Sequence, residues 1–221
     1  MTRWLSLPRV ARIALLSLAI LDVAPLAAWS GPAASPDPVA AWVAEMAAVP
    51  GLEARFREEK HLALLEDPLV SEGTLLYARP DRLRRSIEAP VRSTLVLRGS
   101  ELSMVGSSGA RTLDLDAQPA IRVFVDGFRL ILAGDLAHLR ELYTLELRSM
   151  GADGWDLTLT PRAPPLRDAI ASVRVQGKGR VLRELRVRET GGDETVTLFR
   201  DVDPARTFSE QERDELFRAA P

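Results

Sequence analysis

Four arginines crowd one short stretch of the chain, Arg79, Arg82, Arg84 and Arg85 of LLYARPDRLRRSIEAP. Guanidinium groups at that density either hold a polyanion or make fixed hydrogen bonds to carbonyls and carboxylates. Other residues with chemical potential are sparse. The two histidines, His61 and His138, stand in no HExxH pattern and beside no second metal ligand. GSSG at Gly106 lacks the spacing of a nucleophile elbow and reads as a hairpin turn. GKGR at Gly177 lacks P-loop spacing and likewise reads as a turn between strands. Asp114 and Asp116 alternate onto the outer face of a predicted strand, so they do not read as a metal pair. Catalysis requires a nucleophile, an acid–base pair or a metal within mutual reach. None is visible, so neither an enzyme nor a cofactor is expected.

Charge decides against the polyanion. Twenty-nine basic side chains face thirty-one acidic ones, a formal net charge of -2 over 221 residues. A dedicated nucleic-acid binder carries a basic excess, and this chain has none. The arginine run is a local patch. With 46% hydrophobic and 27% charged residues, the composition suits one globular domain.

Residues 1–30 read as an export signal. Arg3, Arg9 and Arg12 precede the apolar run Ile13 to Ala28, and small residues surround Ala28-Trp29-Ser30. Asp22 and Pro25 interrupt that run, which favours cleavage over a membrane anchor. GPAASP, residues 31–36, is a proline-rich linker, and residues 37–221 are expected to form one domain. The chain has no cysteine, so it can carry neither a disulfide nor an acylated cysteine of its own. A soluble periplasmic protein of about 190 residues is expected, large enough to bury a core without staples.

Asp37 is placed to cap a helix with Pro38 at its first position. Val39, Trp42, Val43, Met46 and Ala47 share one face of that helix, which should stop before Pro50-Gly51. The period then falls to two. Leu52, Ala54, Phe56, Leu62 and Leu64 are read on one face of a long strand, with Glu53, Arg55, Arg57 and Glu59 opposite. Leu69, Gly73, Leu75 and Tyr77 share a face of the next strand, and four further short runs bring the count to about six. Ile121, Phe124, Val125, Phe128, Ile131 and Leu132 then recur at three and four, predicting a helix from about Pro119 to Leu132. Gly127 inside it permits a bend or a close approach. Asp135 caps a short second helix, about five more strands follow, and SEQERDELF closes the chain as a polar helix. The expected fold is α+β, a strongly curved antiparallel sheet with helices on one side. A curled sheet is filled either by its own side chains or by a guest, and periodicity does not separate the two.

The segment FREEKHLALLEDPLVSEGTLLYARPDRLRRSIEAP resembles the first hairpin and third strand of the LolA-type carriers of outer-membrane lipoproteins. Phe56, Gly73, Tyr77, Arg79, Pro80 and Leu83 stand at the matching places, and the likeness runs from about Pro38 to Phe208. The resemblance implies an unclosed β-barrel of about eleven strands, with an N-terminal helix and a helical insert covering a hydrophobic cavity for acyl chains. It assigns Arg79 as the latch that holds the helical lid by hydrogen bonds to lid backbone. Inward candidates for the lipid are Leu52, Phe56, Leu75, Tyr77, Leu83, Leu95, Leu97, Phe124, Phe128, Leu145, Leu157 and Val187, each either cavity lining or core. Arg82 and Arg84 alternate outward, to solvent or to an acidic partner, while Arg85 shares the face of Leu83 and Ile87 and snorkels at the rim. The implied partners are an acylated lipoprotein or lipid cargo, an inner-membrane transporter as donor and an outer-membrane acceptor, with the carrier acting as a monomer. The C-terminal helix departs from better-known members, which end in an extended segment, and leaves a glycolipid or other acylated cargo open. A periplasmic sensor or adaptor of lipid or stressed protein on the same fold is the alternative.

Overall fold

A computed structural model describes residues 37–107 and 109–218, so the expected signal peptide and linker lie outside the described residues. Helix α1 spans Pro38–Ala47, and the Asp37 carboxylate accepts from the Val39 N–H at 3.0 Å as its N-cap. Six strands follow: β1 Gly51–His61, β2 Leu69–Ala78, β3 Arg82–Ala89, β4 Ser93–Arg98, β5 Glu101–Gly106 and β6 Gly109–Asp114. A 3-10 turn at Leu115–Ala117 leads into helices α2, Pro119–Ala133, and α3, Leu136–Leu142. Strands β7 Tyr143–Ser149 and β8 Gly154–Pro161, the short helix α4 Leu166–Ala169, and strands β9 Ile170–Lys178, β10 Val181–Glu189 and β11 Glu194–Asp203 complete the sheet. Helix α5, Glu210–Leu216, begins at a Ser209–Glu212 capping box.

The eleven strands form one antiparallel sheet in the order β6-β5-β4-β3-β2-β1-β11-β10-β9-β8-β7. Two meanders meet where β1 pairs with β11, and β6 and β7 remain unpaired edges, so the barrel does not close. Its curvature follows from α2. Neighbouring strands lie about 4.8 Å apart, so β4 and β7, eight places apart in the order, would stand about 38 Å apart in a flat sheet. Yet Arg129 Nη1 donates to Gly99 O in the β4–β5 turn at 3.3 Å. Two residues earlier, Gly127 lies so close to Tyr143 at the start of β7 that a Cβ there would sit 2.5 Å from the phenol oxygen. No arginine side chain spans the flat distance. The sheet wraps around α2.

Alternation assigns most strand faces, and three expectations are corrected. Strand β1 ends at His61, and Leu62 and Leu64 are not on it; Leu64 is 97% exposed at the hairpin tip. The chain leaves the sheet there because the Ala63 N–H turns to the Asp193 carboxylate, at 2.9 Å. Asp116 is not on a strand either. It sits in the 3-10 turn capped by Asp114, and it pairs with Arg122 of α2. Arg82 and Arg84 meet neither open solvent nor a partner. Arg82 Nη1 lies 3.3 Å from Asp214, and Arg84 Nη1 donates to Leu216 O at 2.8 Å, so both hold α5.

Helix α5 therefore covers the outer face of β2–β4. Phe208 and Phe217 meet edge to face at 5.4 Å and pack with Ala78 and Val96, which alternate away from Tyr77 and Leu97. The outer face of the other half is polar. There Asp156 is only 3% exposed and accepts from Arg174 Nε at 2.9 and 3.0 Å and from Gln176 Nε2 at 3.1 Å. The hydrogen bond from Arg174 holds the Asp156 carboxyl below its ordinary 3.8. A carboxylate with a depressed folded pKa adds stability that is present above 3.8 and is lost as pH falls through the lower folded value. Asp156→Asn is accordingly expected to lose about 1–2 kcal/mol at pH 7. Urea titrations should show that deficit closing as the pH falls below 3.8.

Candidate functional site

The face of the sheet turned toward α2 is continuous and mostly apolar. Directly opposed residues on neighbouring strands point the same way. One row runs Leu113, Leu102, Leu97, Leu83, Tyr77, Leu52 across β6 to β1. Another runs Leu157, Val175, Leu185, Thr197, Glu58 from β8 to β1, and a third runs Leu145, Leu159, Val173, Val187, Thr195 from β7 to β11. All ten strand-borne candidates for the lipid thus share this face. They divide into neighbouring clusters. Leu52, Phe56, Leu75 and Tyr77 form one, with Leu83 packed against it. Leu83 also joins Leu95 and Leu97 in the next, together with Val125 of α2. Leu145, Leu157 and Val187 lie in a third, beneath Trp42, Val43 and Met46 of α1. Phe124 and Phe128 are on α2, and their side chains lie outside the described ones.

The helical insert is fixed where α2 ends and through α3. Gly134, in the left-handed region at φ 80°, stops α2 with its N–H on Ile131 O. Asp37, ahead of α1, pairs with Arg140 of α3, which fixes the first helix against the insert. His138 belongs to the same local scaffold. Its Nδ1 lies 2.6 Å from Asp135 Oδ2, and the Asp135 carboxylate that caps α3 raises the imidazole above its ordinary value. His61 ends β1, 3.8 Å from Glu59. Ser107 of GSSG sits in a turn after β5, and Gly179 and Arg180 of GKGR form the turn between β9 and β10.

Arg79 follows the last residue of β2, and its N–H donates to Pro50 O at 3.3 Å. Its guanidinium hydrogen-bonds the Tyr77 phenol, which also donates to Pro80 O at 3.2 Å. Burial raises the Tyr77 hydroxyl above its ordinary value, and the charges of Arg79 and of Arg129 from α2 oppose that rise. Arg79, Tyr77 and Arg129 therefore share the corner where α2 crosses the β4–β5 turn.

Sequence reasoning missed a polar patch in this apolar face. Glu58 points inward next to Phe56, and Arg85 Nη2 lies 2.7 Å from Glu58 Oε1, off the N–H direction, so the pair is chiefly Coulombic. Thr197 Oγ1 donates to Glu58 Oε2 at 3.0 Å. The Arg85 guanidinium rests on the Phe56 ring, 4.4 Å from its centre. Instead of snorkelling, Arg85 is held by an acid and an aromatic. Beside it, β3 to β6 frame an open cavity of about 350 Å³ over Leu95 and Met104.

Comparison with known proteins gives a family match. The family described as outer membrane lipoprotein carrier protein LolA-like matches residues 32–212. No curated protein sequence matches the chain significantly. Among solved structures, a LolA superfamily protein from Nitrosomonas europaea is 12% identical, with a TM-score of 0.42 over 80% of this chain and 96% of that one. A putative outer membrane lipoprotein-sorting protein domain from Vibrio parahaemolyticus is 10% identical, TM-score 0.47, over 80% and 95%. The MucA/MucB complex of Pseudomonas aeruginosa gives 14% and 0.49, over 83% of this chain but 62% of the matched one. The match over residues 32–212, on an unclosed eleven-stranded sheet wrapped around a helical insert, places this chain in the LolA-like outer-membrane lipoprotein carrier family.

Proposed function

We propose that the chain is a non-enzymatic periplasmic carrier that takes the acyl chains of a lipoprotein or other lipid against the inner face of its sheet. On this reading residues 1–30 are removed on export and residues 37–221 act as one carrier domain. Cargo arrives from an inner-membrane transporter and leaves to an outer-membrane acceptor. The observation that carries the proposal is the single apolar face with ten inward candidates in register, crossed by one helix held at Tyr143 and Gly99. The physical need is clear. Each buried methylene is worth about 0.8 kcal/mol, so a chain of about fifteen prefers an apolar site to water by about 12 kcal/mol. Aliphatic side chains meet that need without directional bonds, which allows release. Arg79 is assigned as the latch, and its place beside Tyr77 and Arg129 supports that role.

Native mass spectrometry of protein purified from the periplasm tests the reading. An acyl-bearing adduct that is lost on denaturation is expected. Arg79→Leu should lower retention of that adduct several-fold while leaving the far-ultraviolet spectrum unchanged. A clean apo mass, with no uptake of added fluorescent fatty acid, overturns the carrier and moves the chain to the sensor or adaptor class.

A further inference from the structure

The cavity between β3 and β6 has a lining unlike the rest of the inner face. Its floor is one cross-strand row, Arg85 on β3, Leu95 on β4, Met104 on β5 and Arg111 on β6, each opposite the next. An apolar strip two residues wide therefore has a guanidinium at each end. Among the described residues, no carboxylate lines the cavity. Arg85 has Glu58 on one side, whereas Arg111 makes no hydrogen bond or ion pair among the described residues. Ser93 adds a hydroxyl, and Gly106 and Gly109 bring no side chain of their own to the lining. A Cβ at Gly109 would meet nothing within 4 Å.

We infer that this cavity is a subsite for an anionic lipid headgroup, a phosphate or carboxylate attached to an acyl chain that lies over Leu95 and Met104. The inference rests on the carrier reading and narrows it to acidic cargo. An uncharged acyl ester offers the guanidinium groups only neutral acceptors, without the Coulombic attraction of an anion. A phosphate or carboxylate accepts two parallel N–H bonds from the arginine fork, stronger than neutral hydrogen bonds. The volume, about 350 Å³, falls at the small end of the range for ligand sites, roughly 300–1,000 Å³. It takes a headgroup and the first part of a chain, and the remainder passes under α2 toward Leu83 and Leu97. The competing account is that Arg111 is an inward charge that keeps edge strand β6 from pairing with another chain. Such a guard would carry no ligand preference.

Calorimetric titration of the full chain, exported and purified from the periplasm, separates these accounts. The probes are myristoyl lysophosphatidylglycerol, the uncharged monomyristoylglycerol of the same chain length, and inorganic phosphate alone. The anionic lipid is expected to bind at least about tenfold more tightly than the uncharged one, with an advantage that shrinks as salt is raised. Arg111→Gln should remove most of that advantage and leave monomyristoylglycerol unchanged, and Arg111→Lys should restore part of it. Equal binding of the two lipids overturns the headgroup site while leaving the carrier intact. Inorganic phosphate binding as tightly as the anionic lipid overturns it in favour of a free-anion site. Binding of neither lipid removes the carrier reading itself.

Discussion

Replacing Gly73 by alanine is expected to cost about 3 kcal/mol or more of folding stability. Gly73 sits in β2 where its pairing with β3 slips by one residue, between Glu72 and Gly73. An added Cβ would lie 1.8 Å from Ser86 O and 3.0 Å from Ile87 Cα, both backbone atoms of the partner strand. A side chain can swing away from a clash, but a strand held on both sides by ladder hydrogen bonds cannot. Overpacking inside a fixed core already costs about 1–3 kcal/mol, and here two strands must also separate. Glycine at such a place marks a corner where a curling sheet brings two backbones together. The corner opens the floor between Phe56 and Ile87, the residues opposite Gly73 on its two neighbours. For a protein of this size, about 3 kcal/mol corresponds to a fall in melting temperature of roughly 6–12 °C. Gly191→Ala is the control, since a Cβ there meets nothing within 4 Å. A Gly73→Ala variant within about 1 kcal/mol of the parent in urea titration would refute the close approach.

How much of this was readable beforehand depended on contrast between neighbouring residues. Where apolar and polar residues alternate, as in Leu52, Ala54 and Phe56 against Glu53 and Arg55, the sequence assigns the face correctly. Where four charges run together, as in Arg57-Glu58-Glu59-Lys60, alternation has no contrast to report, and Glu58 on the inner face is invisible. Leu62 and Leu64 show the opposite failure. They keep the parity of Phe56, but parity holds only while the chain stays in the ladder, and a bond from Ala63 to Asp193, 130 positions away, ends it. The partners of Arg82 and Arg84 were equally remote, 132 positions along the chain. Net charge argued against a polyanion, but only tertiary contact shows that two of the four arginines staple the C-terminal helix. Arg85 remains on the inner face, and Arg79 at the corner it shares with Tyr77 and Arg129. The short helix α4, after the paired prolines 164–165, carried no periodic signal in its four residues.

Gly127→Leu is expected to lift α2 from the sheet and to change cargo binding as well as stability. In an exposed helix, glycine is the poorer residue by roughly 1 kcal/mol relative to alanine or leucine, so propensity alone forecasts stabilisation. Packing forecasts the reverse. The position has no room, because a Cβ would meet Tyr143 at 2.5 Å from its hydroxyl, 2.8 Å from Cε2 and 2.9 Å from Cζ. Tyr143 cannot yield easily, since it is itself buried in the cluster beneath α1, and burial pushes its hydroxyl up to about 12. The helix must move instead, and the loss is expected to exceed the propensity gain, for a net cost of about 2–3 kcal/mol. Adding Tyr143→Phe removes only the 2.5 Å contact and should recover part of that cost, with a coupling of at least about 0.5 kcal/mol in a double-mutant cycle. The functional consequence separates a lid from a plain core helix. If α2 covers the acyl face, Gly127→Leu should take up fluorescent fatty acid several-fold faster than the parent and lose bound cargo faster. A variant that is destabilised yet exchanges fatty acid at the parent's rate would show that α2 only fills the sheet, and cargo must then enter elsewhere on the inner face. Movement of α2 about the Gly127–Tyr143 contact would also change the reach of Arg129 to Gly99, so one substitution perturbs both ends of the same bridge.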